Sequence, residues 1–234
     1  MSALVRVSGL THSYGSDSDR VLALRHVDLA LGAGERVAVM GRSGSGKTTL
    51  LNVLAGLETP TGGLVEIAGL QLGQATRRER EAHRRGVTGY VWQRPEDGLL
   101  PGLTALENVL VPMVGSGRSR RERVNRAVRL LGVLRLHERV HDLPSRLSPE
   151  ETERLAVAVA LANGPRLLLG DELTASLDWA AAAELLGDLL DALEEISAAA
   201  VVVTHDPRVA RYVDRVLLIS DGVAVPVPVP SPVG

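Results

Sequence analysis

Hydrophobic and polar positions alternate along the first part of the chain. Residues 5–7 and 27–31 place apolar side chains at every second position, which is the spacing of a half-buried strand. Gly32 and Gly34 are turn residues that precede a continuous apolar run at residues 37–40. We therefore predict short strands, the last of which is fully buried.

The next segment changes from strand spacing to helix spacing and back. A glycine-rich loop leads into residues 48–55, whose apolar positions have helical spacing, and a turn at residues 59–63 leads into a strand at residues 64–67. Residues 77–85 are highly charged and predicted to be helical, whereas residues 88–93 have a strand pattern. The segment therefore has the order strand, glycine loop, helix.

A mostly helical region follows. Apolar residues have helical spacing at residues 105–113 and 120–131, and prolines such as Pro112 and Pro144 interrupt them. We predict an inserted helical subdomain at about residues 95–154, between flanking segments of about 1–94 and 155–222. The last twelve residues, 223–234, are rich in proline and valine, and we expect an extended and largely unpacked tail.

Helices and strands alternate again after the helical region. The predicted elements are helices at residues 150–162 and 180–196 and strands at residues 167–169, 200–203 and 216–220. Strands that alternate with helices favour a mainly parallel sheet, so the fold class is α/β.

Composition excludes several classes of protein. Hydrophobic residues make up 45% and charged residues 23% of the 234 residues, which excludes a disordered polyelectrolyte and a membrane-embedded chain. The net charge of -2 argues against a nucleic-acid partner. Cysteine is absent, so disulfides and thiolate chemistry are excluded. The first residues lack a signal-peptide core and no apolar segment approaches about 18 residues, so we expect any membrane association to be peripheral.

A phosphate-binding motif stands between the buried strand and the first helix. Its pattern is G-x-x-x-x-G-K-[ST], formed by Gly41, Arg42, Ser43, Gly44, Ser45, Gly46, Lys47 and Thr48. Backbone amides at a helix start cradle phosphates, Lys47 would reach the β- and γ-phosphates, and the Thr48 hydroxyl would bind Mg²⁺. Lys47 is also the single lysine of the chain. A tight glycine turn without a ligand is the alternative.

An acidic pair and the lysine count extend this prediction. A guanine-specific Asn-Lys-x-Asp motif would need a second lysine, so adenine is favoured. The apolar residues 167–169 precede Asp171 and Glu172. Asp171 would hold hydrated Mg²⁺, and Glu172 would polarise an attacking water.

The order and spacing of further motifs resemble the nucleotide-binding subunit of ABC transporters from about Val5 to Gly222. Tyr14 matches the aromatic residue that stacks on adenine, Gln93 the Q-loop glutamine and His205 the switch histidine. Residues 147–148 resemble the start of the signature, and residues 176–178 resemble the D-loop with its Asp178. Residues 99–109 are similar to the group with lipoprotein-release and macrolide-efflux ATPases. Taken singly, each residue has an ordinary alternative, such as Asp178 as a helix N-cap.

The resemblance implies a fold and a mechanism. The fold is a P-loop NTPase core with a mainly parallel sheet, an N-terminal antiparallel β subdomain and the inserted helical subdomain. Mg-ATP is sandwiched between two such subunits, with the loop, Thr49 and Tyr14 binding it, Gln93 sensing the metal, and Glu172 and His205 acting at the γ-phosphate. The dimer, as a homodimer or a heterodimer, drives a separate membrane permease from the cytoplasmic face. The alternative is a nucleotide-gated scaffold with little hydrolysis.

The signature departs from the family's Leu-Ser-Gly-Gly-Gln, because residues 147–151 read Leu-Ser-Pro-Glu-Glu. Pro149 has no amide hydrogen, and at ~5 Å and an effective dielectric of ~20, one charge of Glu150 would repel a phosphate charge by about 3 kcal/mol. Ser148 as N-cap, Pro149 at the first position and Glu151 at the third form a predicted capping box. We therefore expect a stable helix start, a poor phosphate clamp and weakened hydrolysis.

Three further apolar residues are candidates for the lining of a permease-binding groove. Trp92, Leu99 and Leu100 stand beside Gln93 and the helical region, and they line either such a groove or the core.

Overall fold

The computed structural model describes residues 3–15 and 19–227. An antiparallel sheet of four strands contains β1 (Val5–Tyr14), β2 (Val21–Leu31), β4 (Gly62–Ile67) and β5 (Leu70–Gln71), in the order β2-β1-β4-β5. Its strands are longer than their alternating segments predicted, and β1 accommodates its length through register shifts against β2. This sheet confirms the predicted N-terminal β subdomain.

The second sheet has six strands in the order β10-β9-β3-β8-β7-β6. They are β3 (Arg36–Met40), β6 (Thr88–Val91), β7 (Leu167–Asp171), β8 (Ala199–Val203), β9 (Arg215–Ser220) and β10 (Val223–Val227). Pairing is parallel from β9 through β3, β8 and β7 to β6, whereas β10 runs antiparallel to β9. Every residue of β7 and β8 is buried, which is why their sequences are apolar without alternation.

Within the described ranges, six α-helices accompany the sheets. They are α1 (Lys47–Leu54), α2 (Arg77–Gly86), α3 (Ala105–Leu110), α4 (Arg120–Val133), α5 (Pro149–Leu161) and α6 (Trp179–Glu195). One core cluster joins the two sheets and α1, and another joins α3, α4, α5 and α6 to β7 and β8. The helical subdomain is thus continuous with the main core, and α5 runs through the predicted boundary at residue 154.

Capping boxes define where most of these helices begin. α2, α3, α4 and α5 each start after a serine or threonine whose side chain accepts from the third helical amide, while a glutamate at that position bonds back to the N-cap amide. The box predicted at Ser148 and Glu151 is therefore confirmed. Helix α3 is shorter than predicted, because Pro112 turns residues Val111–Met113 into a 3-10 helix.

The tail differs from its prediction where the structure describes it. Val223–Val227 is extended as expected, but it pairs along its whole length with β9 and forms the edge of the large sheet. The expectation of an unpacked segment is therefore wrong for these five residues, although most of their side chains are exposed. Residues 228–234 lie outside the described residues.

Candidate functional site

A cavity of about 640 Å³ opens between the antiparallel sheet and the carboxyl ends of β3 and β7. Its walls include most of the residues selected from the sequence, namely Tyr14, Gly41, Ser43, Gly44, Gly46, Lys47, Thr48, Thr49, Gln93, Asp171, Glu172 and His205. Ligands of open α/β sheets bind at this place, beyond the carboxyl ends of parallel strands. The glycine loop, the acidic pair and the distant glutamine and histidine therefore meet in one site.

The glycine loop leads directly into the start of α1. Gly46 is the N-cap at a φ of 103°, and no side chain among the described residues caps the helix. Within the loop, the Ser45 amide donates to the Arg42 carbonyl at 3.2 Å. A Cβ on Gly46 would collide with the Ala23 carbonyl, and one on Gly41 with the Ile219 carbonyl, so the packing of neighbouring backbone requires both glycines. The first turn of α1 contains no acidic residue. This helix start is therefore free to bind an anion.

Lys47 and Ser45 are enclosed by the loop. The Lys47 side chain donates to the carbonyls of Gly41 and Arg42, each at 2.9 Å, and the residue is only 8% exposed. The Ser45 hydroxyl is buried and has no hydrogen-bond partner among the described residues. Arg42 and Ser45 do not line the cavity, so they contribute their backbone and a buried hydroxyl. Because Lys47 lines the cavity, its cation fits a polyphosphate ligand there.

Thr48 and Asp171 form an oxygen-rich pair at the end of β7. The Thr48 hydroxyl donates to Asp171 Oδ2 at 2.9 Å, and Asp171 is 4% exposed. Burial raises the pKa of Asp171, while the Thr48 hydrogen bond and the Lys47 charge oppose that shift. Hydroxyl and carboxylate oxygens are the ligands that Mg²⁺ prefers, so this pair fits that metal. Gln93 lines the same cavity and would supply an amide oxygen.

Glu172 and His205 contact each other at the cavity wall. His205 Nδ1 lies 2.8 Å from Glu172 Oε2, joining the end of β7 to the loop after β8. Glu172 has a φ of 55°, a strained left-handed conformation for a residue with a side chain. Strain of this kind persists where the surrounding fold imposes it, and here the Glu172 amide donates to the Val203 carbonyl. The fold thus fixes the carboxylate inside the cavity.

The structure adds residues that the motifs did not reveal. Val21 and Leu22 lie on the cavity wall with Tyr14, and they are 64% and 39% exposed, which leaves an apolar surface suited to a flat base. Ala23, Arg25, Ala175, Asp221 and Gly222 complete the lining. The available sequence signal for Val21 and Leu22 was a pair of apolar residues at the start of a strand.

Ser148 and Asp178 are not brought into this cavity. The Ser148 hydroxyl accepts from the Glu151 amide at 3.1 Å, and the Asp178 carboxylate accepts from the Ala181 amide at 3.0 Å. Both residues are therefore N-caps, of α5 and α6 respectively. Within one chain, the signature and D-loop segments contribute nothing to the cavity.

The charge of Glu150 has a partner that the sequence argument missed. Arg154 Nε donates to Glu150 Oε1 at 2.9 Å, and the Arg154 side chain is only 2% exposed. The same guanidinium bonds to Asp188 on α6, which also binds Arg135. An ion pair one helical turn away reduces the repulsion expected between Glu150 and a phosphate. The predicted electrostatic penalty is therefore an upper value, whereas the missing Pro149 amide is unaffected.

A second groove of about 490 Å³ is lined by residues of α2, β6 and α5 and of the segment after α3. Trp92 lines it and is 37% exposed, and Tyr90, Val111 and Val159 also line it. Leu99 is buried in the core at 7% exposure, and Leu100 is exposed but does not line the groove. Of the three residues proposed for such a groove, only Trp92 is placed there.

The phosphate loop, the acidic pair and the mainly parallel sheet define a P-loop nucleotide-binding protein. Residues 24–175 match the family described as ABC transporter. The chain belongs to the ABC transporter family. Among the described residues, no helix combines the length and apolarity needed to cross a membrane.

Curated relatives include two types of ATP-binding protein. The chain is 41% identical to the lipoprotein-releasing system ATP-binding protein LolD 2 of Caulobacter vibrioides, across 94% of this chain and 95% of that protein. It is 40% identical to the macrolide export ATP-binding/permease protein MacB of Agrobacterium fabrum, across 95% of this chain. The chain spans about a third (34%) of the length of that relative.

Solved structures of ATP-binding cassettes share this fold. The dimeric bacterial ABC transporter cassette MJ0796 superposes with a TM-score of 0.85 at 37% identity, over 94% of this chain and 95% of that one. A post-hydrolysis dimer of MJ0796 bound to ADP and Pi gives 0.86 at 35% identity, over 96% of this chain and 99% of that one.

Proposed function

We propose that this chain is the ATP-binding subunit of an ABC transporter, which couples Mg-ATP binding, dimer closure and hydrolysis to a separate membrane permease. The observation that carries the proposal is the 2.9 Å bond between Thr48 and Asp171 beside the open amides of α1, with Glu172 in the same cavity. The 41% sequence identity to LolD 2, over 95% of that protein, supports the same conclusion.

The residues that bind phosphate, adenine, metal and water have separate roles in this proposal. The backbone amides at the uncapped start of α1 and the Lys47 ammonium bind the phosphate chain, and Tyr14 with Val21 and Leu22 receives the adenine. Thr48, Asp171 and Gln93 hold Mg²⁺, which when bound neutralises charge on the phosphate oxygens. The Glu172 carboxylate accepts a hydrogen bond from the attacking water, and His205 holds that carboxylate in position.

A second cassette would complete the site. The MJ0796 cassettes form dimers, which supports an assembly in which the start of α5 faces the nucleotide on the opposite subunit. Because Ser148 already caps α5 and Pro149 offers no amide hydrogen, we expect this face to hold a phosphate poorly. A homodimer would then turn over slowly, and a heterodimer with an intact partner signature would retain one complete site.

The groove lined by Trp92 fits the permease. It combines the exposed Trp92, Val111 and Val114 with polar side chains such as Arg84, Arg85 and Asn163, which suit an amphipathic helix from a partner. Docking there would place the chain peripherally on the cytoplasmic face of the membrane. One relative, MacB, is itself named as an ATP-binding/permease protein, which supports a permease as the partner.

Steady-state hydrolysis and equilibrium ATP binding test the proposal together. We expect Glu172→Gln to reduce turnover by at least about 100-fold while ATP still binds, because the carboxylate acts only at the reacting water. Glu194→Gln, on the exposed part of α6, is the matched control and should turn over normally. Lys47→Ala should lose saturable binding. Undiminished turnover in Glu172→Gln, or normal binding in Lys47→Ala, would contradict the proposal.

The capped start of α5 favours one alternative, a nucleotide-gated scaffold with little hydrolysis. Its expected signature is saturable ATP binding and partner engagement, with no turnover above the Glu172→Gln background even when the permease is present. Stimulation of hydrolysis by the permease would exclude it.

A further inference from the structure

The ring of Tyr14 is held through its hydroxyl. Tyr14 is the last residue of β1 and is 42% exposed on the cavity wall. Its hydroxyl donates to Glu58 Oε1 at 2.8 Å and lies 3.2 Å from Thr49 Oγ1. Because the ring is so exposed, burial alone does not fix its rotamer, and these polar contacts do.

Glu58 is in turn held by residues from two other elements. Asn52 Nδ2 on α1 donates to Glu58 Oε1 at 3.1 Å, and His12 Nε2 on β1 lies 2.7 Å from Glu58 Oε2. His12 is 6% exposed, and its ring meets that of Tyr14 edge to face at 4.9 Å. The Glu58 carboxylate thus contacts residues of both β1 and α1.

The network continues toward the metal side of the site. The Tyr90 hydroxyl on β6 donates to Asn52 Oδ1 at 3.2 Å. Burial raises the pKa of Tyr90, and the charges of Asp171 and Glu58 add to that shift. We call the set the tyrosine anchor, comprising His12, Tyr14, Thr49, Asn52, Glu58 and Tyr90.

None of the motifs that predicted the site contains Glu58, His12 or Asn52. Thr49 follows the Thr48 that bonds to Asp171, so the helix that carries the phosphate loop also fixes the tyrosine. A binding group held in its bound geometry loses less freedom on binding and so binds more tightly.

We infer that Glu58, supported by His12 and Asn52, is a positioning residue that holds the Tyr14 ring for the adenine base. This inference rests on the proposed function, because it assigns the anchor to the base-binding end of that site. Glu58, His12 and Asn52 do not line the cavity, and Tyr14 is their contact with it. Changes to Glu58 should therefore affect ligands with a base and leave base-free polyphosphates unaffected.

Equilibrium binding of Mg-ATP and of Mg-tripolyphosphate to the full chain tests the inference. Tyr14→Phe keeps the ring and removes the hydroxyl, and Glu58→Ala removes the carboxylate. Each should weaken ATP binding by about five- to tenfold, as expected for a ring that must be ordered on binding, with tripolyphosphate affinity unchanged. Glu58→Gln retains an oxygen for the tyrosine and should recover most of the ATP affinity. In turnover, KM should rise with kcat unchanged.

Glu66→Ala is the matched control. Glu66 lies on β4, in the antiparallel sheet that also contains Tyr14, and bonds to Arg6 at 3.2 Å. Its side chain is 29% exposed, against 25% for Glu58. It should bind both ligands as the unchanged chain does. If Tyr14→Phe reduced the affinity for Mg-ATP and for Mg-tripolyphosphate equally, the Tyr14 hydroxyl would have a merely structural role and the inference would be overturned.

Unchanged ATP affinity in Tyr14→Phe and Glu58→Ala would also overturn it, and Tyr14→Phe decides the matter if Glu58→Ala fails to fold. These outcomes differ from failure of the proposed function. If the unchanged chain showed no saturable ATP binding, the function and the inference would both fall. Normal binding by the unchanged chain with unaltered variants overturns the inference alone.

Discussion

The starts of α1 and α5 show two uses of the same physical resource. Each helix begins with unpaired amides and a partial positive charge. At α1 the N-cap is Gly46, no side chain caps the helix, and the first turn has no acid. At α5, Ser148 caps the helix and Pro149, Glu150 and Glu151 fill the first turn. An open start can bind an external anion, whereas a satisfied start stabilises its own helix.

The two helices also bury groups of opposite charge, which differ in how well they are hydrogen-bonded. Lys47 is 8% exposed, and its ammonium has two carbonyl partners. Glu153 on α5 is 2% exposed, and its Oε1 has no hydrogen-bond partner among the described residues. Burial raises the pKa of Glu153 to about 8, and the charge of Glu96 adds to the shift. A charge inside the phosphate loop is stabilised, whereas one inside α5 is neutralised by a proton.

Replacement of Glu153 should give the largest effect. Its folded pKa of about 8 lies above the ordinary value of 4.5, so the folded state binds the proton more tightly and stability falls as pH rises through this range. From pH 5 to pH 8 the free energy of unfolding should fall by on the order of 2–3 kcal/mol more in the unchanged chain than in Glu153→Gln. Urea unfolding at several pH values measures this difference.

Glu194→Gln provides the control for Glu153→Gln. It removes a carboxylate from the exposed part of α6, and its stability should follow the same pH dependence as the unchanged chain. Equal slopes for the unchanged chain and Glu153→Gln would show that the buried acid is not protonated.

A glycine pair in α5 should make its start resemble that of α1. Pro149→Gly combined with Glu150→Gly restores one amide hydrogen and removes one carboxylate. In a Glu172→Gln background, where ATP is retained, we expect ATP-dependent dimerisation to strengthen about tenfold, or about 1.4 kcal/mol. Analytical ultracentrifugation with and without Mg-ATP measures the change.

Glu150→Gln alone separates the two contributions. It keeps the proline and removes the charge, and because Arg154 already pairs with Glu150 its effect should be smaller than that of the double variant. Dimerisation that does not respond to either variant would show that the start of α5 does not limit closure.

Loss of the Ser148 cap should give the smallest effect. Ser148→Ala leaves the Glu151 amide without its partner, and should lower the free energy of unfolding by about 1 kcal/mol. ATP binding to the cavity of the same chain should not change. Ser119→Ala removes the matching cap of α4 and should cost a similar amount. A large loss of ATP affinity in Ser148→Ala would show that Ser148 contributes to ATP binding and does not act only as the N-cap of α5.

Elements with strong periodicity and ordered motifs were predictable from the sequence. The helices at α1, α2, α4, α5 and α6 and the buried strands β3, β7 and β8 lie within a few residues of their predicted positions. The capping box at Ser148 could be predicted because all of its bonds are between neighbours in sequence. The glycine loop was predictable for the same reason.

Contacts between distant residues could not be read from local patterns. His205 meets Glu172 across 33 positions, and Tyr14 meets Glu58 across 44. Arg154 reaches Asp188 on another helix. Such pairs depend on how the elements pack, which periodicity does not specify. Pairing of Val223–Val227 was missed because its prolines indicate loose chain, although proline is tolerated in an outermost strand.

That outermost strand has a consequence for how the chain avoids unwanted association. One edge of the large sheet is β10, and its exposed valines would favour pairing with a strand of another chain. Pro226 lies within that edge and contributes no hydrogen-bond donor to it. The same proline that argued against a strand here thus makes this edge a poor template for fibre-forming strand addition.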